Sequence, residues 1–189
     1  MRFFLFYLIS SVVCWAHTIP NLEVNAEFYA DETYTLSINF DPRLFLSKKP
    51  TELPPLQAEW WLKQTAQQRV ATMKQAVEYL HAALVLVWSE KPGQAPVYDI
   101  TAIDSATTQP VTAQTQEVHL LAHLRDKLSA EQKHFQLQLN AAANAALVLF
   151  QRLGEKEEKR PQVLFSGETS RPFLLRKAVD SVLEHSAEK

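Results

Sequence analysis

Leu22-Glu23-Val24-Asn25-Ala26-Glu27-Phe28-Tyr29, followed across Ala30-Asp31-Glu32-Thr33 by Tyr34-Thr35-Leu36-Ser37-Ile38-Asn39-Phe40, decides the fold. Apolar and polar residues alternate in both runs, so each strand presents one greasy face and one wet face. The short polar connection between them suits a hairpin. Asp41-Pro42 then opens an irregular stretch, and Pro50, Pro54 and Pro55 exclude ladder pairing before the next element.

From Leu56 to about His81 the period changes from two to helical. Ala66, Val70, Met73, Val77 and Leu80 recur at steps of four and three, with Gln, Lys and Arg between them. The spacing predicts one long amphipathic helix near residues 56–81, with Pro55 in its first turn and Trp60 and Trp61 as packing anchors. A branched apolar run, Ala83 to Trp88, reads as a buried strand that stops at Lys91-Pro92-Gly93.

Further strands are expected at Val97 to Ile103, Glu117 to Arg125, His134 to Asn140, Ala146 to Leu153, Val163 to Ser166 and Pro172 to Leu175. The fold expected is mainly β, an antiparallel Ig-like β-sandwich of about nine strands with the helix inserted. Glu155-Lys156-Glu157-Glu158-Lys159-Arg160 reads as a solvated hairpin loop after Gly154.

Met1 to Ala16 read as a signal peptide, with Arg2 as the positive start, Phe3 to Val13 as the apolar run and Cys14-Trp15-Ala16 as the exit toward His17. Ser11-Val12-Val13 ahead of Cys14 lacks the leucine and small residue of a lipid-attachment site. The domain plan is therefore a leader over 1–16, a β-sandwich domain with its helical insertion over 17–175 and a helix-compatible tail over 176–189. Cys14 is the single cysteine, so a chain processed at His17 has no disulfide and no thiolate ligand. With Lys+Arg 19 against Asp+Glu 21 and a formal net charge of −2, the chain carries no basic footprint for nucleic acid or anionic lipid. The expected location is periplasmic or secreted, with no transmembrane segment after the leader.

Little catalytic chemistry is legible. Ser166-Gly167-Glu168-Thr169-Ser170 lacks the Gly-x-Ser-x-Gly elbow and reads as a turn, with Ser or Thr capping backbone groups and Glu168 available to Arg171. No phosphate-loop, dinucleotide or zinc-protease motif is present. The metal candidate is His17, because a chain beginning there offers both its amine and an imidazole nitrogen to copper(II). Ala16-His17 resembles, at that dipeptide, the start of copper-dependent polysaccharide monooxygenases and small copper-resistance carriers. His119, His123 and His134 are the candidates for a further ligand. On one strand, His119 and His123 share a face but lie about 13 Å apart, too far to chelate one ion together.

Several features occur in a set order: Ala16-His17, an alternating strand, a helix ending in Glu78-Tyr79-Leu80-His81, then Phe135-Gln136-Leu137 and Leu164-Phe165-Ser166-Gly167-Glu168-Thr169-Ser170-Arg171-Pro172-Phe173. Together they resemble the extracytoplasmic region of HupE/UreJ-like membrane proteins. The resemblance implies the fold and a place beside a membrane partner, while the transmembrane helices of that family are not expected in this chain. The function expected is an exported, non-enzymatic β-sandwich domain that binds a protein partner and needs no cofactor. The alternative is a periplasmic copper-binding protein using His17.

Overall fold

A computed structural model of the chain describes residues 20–89, 91–154 and 160–175. The alternating runs form the expected hairpin of β1 (Asn21–Phe28) and β2 (Thr33–Phe40), in register from Leu22 opposite Phe40 to Phe28 opposite Tyr34. Its turn is closed by Asp31, whose carboxylate accepts from the Thr33 amide at 3.1 Å and hydroxyl at 2.6 Å. Those two bonds favour the ionised form and hold the Asp31 carboxyl below its ordinary value.

The irregular stretch after Phe40 holds α1 (Arg43–Leu46), a single 3₁₀ turn at Pro50–Glu52 and α2 (Ala58–Leu62). The long helix, α3, spans Ala66–Ala83. The single helix expected over 56–81 is thus two. Thr65 adopts an extended conformation and restarts the helix with a capping box, its side chain taking the Gln68 amide while the Gln68 side chain takes the Thr65 amide. The buried seam is also rotated from the one expected: Thr72, Ala76, Leu80 and Ala83 face inward, and Val70 is 70% exposed. Tyr79 turns toward Phe40 and Phe45, with ring centroids 6.3 Å from each, so α3 closes the end of the sandwich where β2 stops. Trp61 is buried as expected and carries the Arg69 guanidinium 5.1 Å from its ring.

The remaining strands are β3 (Leu84–Trp88), β4 (Lys91–Pro92), β5 (Asp99–Asp104), β6 (Val118–Lys127), β7 (His134–Leu139), β8 (Ala146–Leu153), β9 (Arg160–Leu164) and β10 (Phe173–Leu174). They make a six-stranded sheet in the order β5-β6-β2-β1-β8-β9 and a four-stranded sheet in the order β10-β7-β3-β4. The mainly β, two-layer expectation holds. The wholly antiparallel expectation does not, because β1 and β8 pair in parallel from Asn21 opposite Ala146 to Phe28 opposite Leu153. Alternation gives a strand its two faces but is silent on its direction. Here β8 arrives from the other sheet and fills the free side of β1. The pairing of β4 was not expected, and β9 starts at Arg160, earlier than Val163; residues 155–159 of the expected hairpin loop lie outside those described.

One core cluster of buried residues runs from Leu22 to Leu175. At its centre Phe28 meets Phe135 at 5.3 Å, Phe173 at 5.5 Å and Trp88 at 6.4 Å, joining the two sheets face to face. Gly93 is required beside this cluster, since a Cβ there would stand 2.8 Å from the Trp88 ring while the Gly93 amide bonds to the Leu86 carbonyl at 2.8 Å.

Replacing Thr65 by Ala removes the cap that starts α3. The expected cost is about 1 kcal/mol in urea denaturation, recovered in Thr65→Ser.

Candidate functional site

Asp41 follows the last residue of β2, and Arg43 follows two residues later at the start of α1. The chain doubles back there, and the backbone amide and side chain of Arg43 close on one carboxylate. The Arg43 amide donates to Asp41 Oδ1 at 2.8 Å, and Nε and Nη2 donate to Asp41 Oδ2 at 2.7 and 2.5 Å. Arg43 Nη1 donates to the Leu53 carbonyl at 2.8 Å, which ties down the proline-rich stretch. The Arg43 side chain has no solvent exposure and that of Asp41 only 3%.

Glu117 and His119 complete the cluster from β6 and the residue before it. The Val118 amide bonds to the Leu56 carbonyl at 2.7 Å, holding the irregular stretch over the start of β6. Glu117 Oε1 lies 3.6 Å from Arg43 Nη2 and 3.6 Å from His119 Nε2, both beyond hydrogen-bond range. The other imidazole nitrogen, Nδ1, lies 2.8 Å from Asn39 Oδ1. Glu117 Oε1 and His119 Nε2 are both shielded from solvent and have no hydrogen-bond partner. One donor atom each from Asp41, Glu117 and His119 falls within 4.8 Å of the others.

The register explains this meeting. Phe40 pairs with Leu22 on one side and Leu120 on the other. One step beyond, Asn21, Asp41 and His119 lie at the same end of three adjacent strands. His17, the metal candidate from the sequence, lies outside the described residues, four positions before Asn21. His123 shares the outer face of β6 and sits 3.2 Å from the Ser37 hydroxyl, while His134 belongs to the other sheet. The histidines named from the sequence therefore do not converge on one point among the described residues. Asp41, Arg43 and Glu117 were not singled out from the sequence; the one signal was an Asp-Pro-Arg run closing a strand.

Two other surfaces stand apart from this cluster. A cleft of 520 Å³ opens between the sheets, lined by Tyr34, Trp88, Leu124, Arg125, Asp126 and Lys127 among others. On the outer face of the six-stranded sheet, Val148 pairs with Val163 and Phe150 with Pro161. Val163 is 56% exposed and Phe165, two residues on, 62%. Serines of the turn at 166–170 bond backbone groups, as expected: the Ser166 hydroxyl donates to the Ala143 carbonyl, and the Leu137 amide donates to Ser170 Oγ at 2.9 Å. Glu168 does not pair with Arg171; its carboxylate accepts from the Phe165 amide at 2.8 Å, while the Arg171 amide bonds to Gln162 Oε1 at 2.9 Å.

The chain matches no family model, and no curated protein matches it. The resemblance to HupE/UreJ-like proteins therefore rests on the residue patterns alone.

Three tyrosines, Tyr34 and Tyr98 in the core and Tyr79 packed against it, set an alkaline limit to the fold. Burial, with Asp126 adding to it, pushes Tyr34 up to about 12, burial pushes Tyr79 up to about 12, and burial also raises Tyr98. An unfolded tyrosine ionises near pH ~10, so the raised groups contribute stability that is fully present below that pH and lost as pH climbs through the folded values. Urea denaturation is expected to show a loss of stability above pH ~10 that shrinks in Tyr79→Phe. The Tyr79 hydroxyl is buried without a hydrogen-bond partner, so the same substitution is expected to add up to about 1 kcal/mol at neutral pH.

Proposed function

We propose that this chain is an exported, non-enzymatic two-sheet domain that docks on a protein partner, placed in the periplasm or outside the cell. The observation that carries the reading is the apolar patch of exposed Pro161, Val163 and Phe165, on and just after β9, beside half-buried Val148 and Phe150 of β8. Monomeric soluble domains seldom leave contiguous apolar surface open without a use for it. Pro161 has no N–H to offer an added strand, so the patch works as a face rather than as an edge that extends the sheet. Exposed Glu23 lies beside Val148 on β1, and the Glu27–Arg152 ion pair at 2.8 Å borders the far end. The matching surface is therefore apolar at its centre, with a cation opposite Glu23.

The residue patterns shared with HupE/UreJ-like proteins favour a membrane protein as that partner. The leader-like start supports export, and no helix among the described residues is long and apolar enough to cross a membrane. The Ig-like reading of the sandwich belongs to this proposal. The two facing layers support it, and the parallel β1–β8 pair sets the chain apart from an all-antiparallel version. The alternative reading, copper(II) at a processed amino terminus His17, is favoured by one observation: β1 begins at the sheet end that holds His119.

A photo-crosslinking residue at Val163 in the exported chain is expected to capture an integral membrane protein. Phe165→Glu is expected to weaken that association by at least about 30-fold, the scale of a lost hot-spot aromatic. Its stability should stay within about 0.5 kcal/mol, as for a surface change. No adduct, or equal capture by Phe165→Glu, contradicts the proposal.

A further inference from the structure

We infer that His119, Glu117 and Asp41 form a binding site for one divalent transition-metal ion, with zinc(II) as the best fit to the donor set. The site is built from described residues and needs neither His17 nor the docking face.

The argument begins with the imidazole. Asn39 Oδ1 accepts a hydrogen bond and cannot donate one, so the nitrogen 2.8 Å from it, Nδ1, carries the proton. In the neutral ring Nε2 then holds a lone pair, which is the state in which histidine ligates a metal while an outer oxygen fixes its tautomer. That lone pair faces Glu117 Oε1 at 3.6 Å, and both atoms are shielded from water and make no hydrogen bond, with Arg43 Nη2 also 3.6 Å from Oε1. Two electron-pair donors facing each other out of solvent repel, and each forfeits its hydration. A cation between them satisfies both. A separation of 3.6 Å spans one zinc ion held at about 2.0–2.2 Å from each donor at a wide tetrahedral angle.

Asp41 supplies the third position. Its Oδ2 is taken by two Arg43 hydrogen bonds, but Oδ1 accepts only the Arg43 amide among the bonds described, leaving a second lone pair. Arg43 Nη2 faces both carboxylates, 2.5 Å from Asp41 Oδ2 and 3.6 Å from Glu117 Oε1, so one guanidinium stands against two acidic groups and a cation at the site answers the second. One nitrogen and two carboxylate oxygens suit zinc and its first-row neighbours, whereas calcium and magnesium take all-oxygen shells. Three protein ligands leave a fourth position for water.

The test is titration of the processed full chain with zinc(II), and with cobalt(II) as the spectroscopic probe. Expected are one ion per chain and tetrahedral cobalt absorption. Affinity should fall at least about 30-fold in His119→Gln and in Glu117→Gln, and about 10–100-fold in Asn39→Ala, which loses only the outer hydrogen bond. His17→Ala is expected to keep one zinc ion per chain. Thermal melts without metal identify any variant that fails to fold, and Glu117→Gln, which keeps the shape of the side chain, is the variant of reference. Absence of stoichiometric zinc binding overturns the inference, including the case where nuclear magnetic resonance finds a proton on Nε2 that zinc does not displace. Equal binding by Glu117→Gln and His119→Gln also overturns it. Loss of binding in His17→Ala alone assigns the metal to the amino terminus instead and likewise overturns it.

Discussion

The buried pair of Asp41 and Arg43 is the constraint on which the layout of this molecule depends. Removing a guanidinium and a carboxylate from water costs several kcal/mol each, and their attraction offsets that only with good geometry and further hydrogen bonds. Those conditions are met: three donor groups of Arg43 reach Asp41, and a fourth reaches the Leu53 carbonyl. The pair therefore fixes where the chain goes after β2, bending it over the start of β6 instead of releasing it into solvent. With that path fixed, the Leu56 carbonyl meets the Val118 amide, and α3 is delivered to the end of the sandwich. The two sheets supply most of the apolar burial, and the ion pair selects the arrangement in which they are closed off.

The same arrangement divides the surface by chemistry. The inner faces meet at Phe28, Trp88, Phe135 and Phe173, so among the described residues recognition is left to the outer faces, the sheet ends and the cleft beside Trp88. One outer face carries the apolar patch beside Glu23. The end closed by the irregular stretch carries the donors of Asp41, Glu117 and His119. The proposed docking and metal-binding roles thus use separate regions, and neither requires the other.

Much of the fold was legible because period-two alternation reports burial directly. Leu22, Val24, Ala26 and Phe28 are all buried, as are Leu36, Ile38 and Phe40. Strand direction was not legible, because parallel and antiparallel partners ask for the same alternation, and β8 took the parallel place. The break at Thr65 was written in the chain as Thr-x-x-Gln, a cap signal masked by the helical pattern on both sides of it. Val70 fitted the expected seam by spacing, yet faces solvent because the restarted helix presents Thr72 and Ala76 instead, with Leu80 common to both seams. The site was only partly legible. His119 stood out by type, but its partners lie 78 and 76 positions before it and two before it in the chain; what joins Asp41 and Arg43 to it is strand register, which one sequence does not state.

The most direct test of this account is a double-mutant cycle on Asp41 and Arg43, read by urea denaturation of the intact chain. Arg43→Met alone is predicted to cost about 3–5 kcal/mol, because it strands a buried carboxylate. The double variant Asp41→Ala with Arg43→Met is predicted to cost less than the two single changes together by at least about 1 kcal/mol. Costs that add to within about 0.5 kcal/mol, or an Arg43→Met chain as stable as the parent, would contradict the claim that this pair fixes the fold.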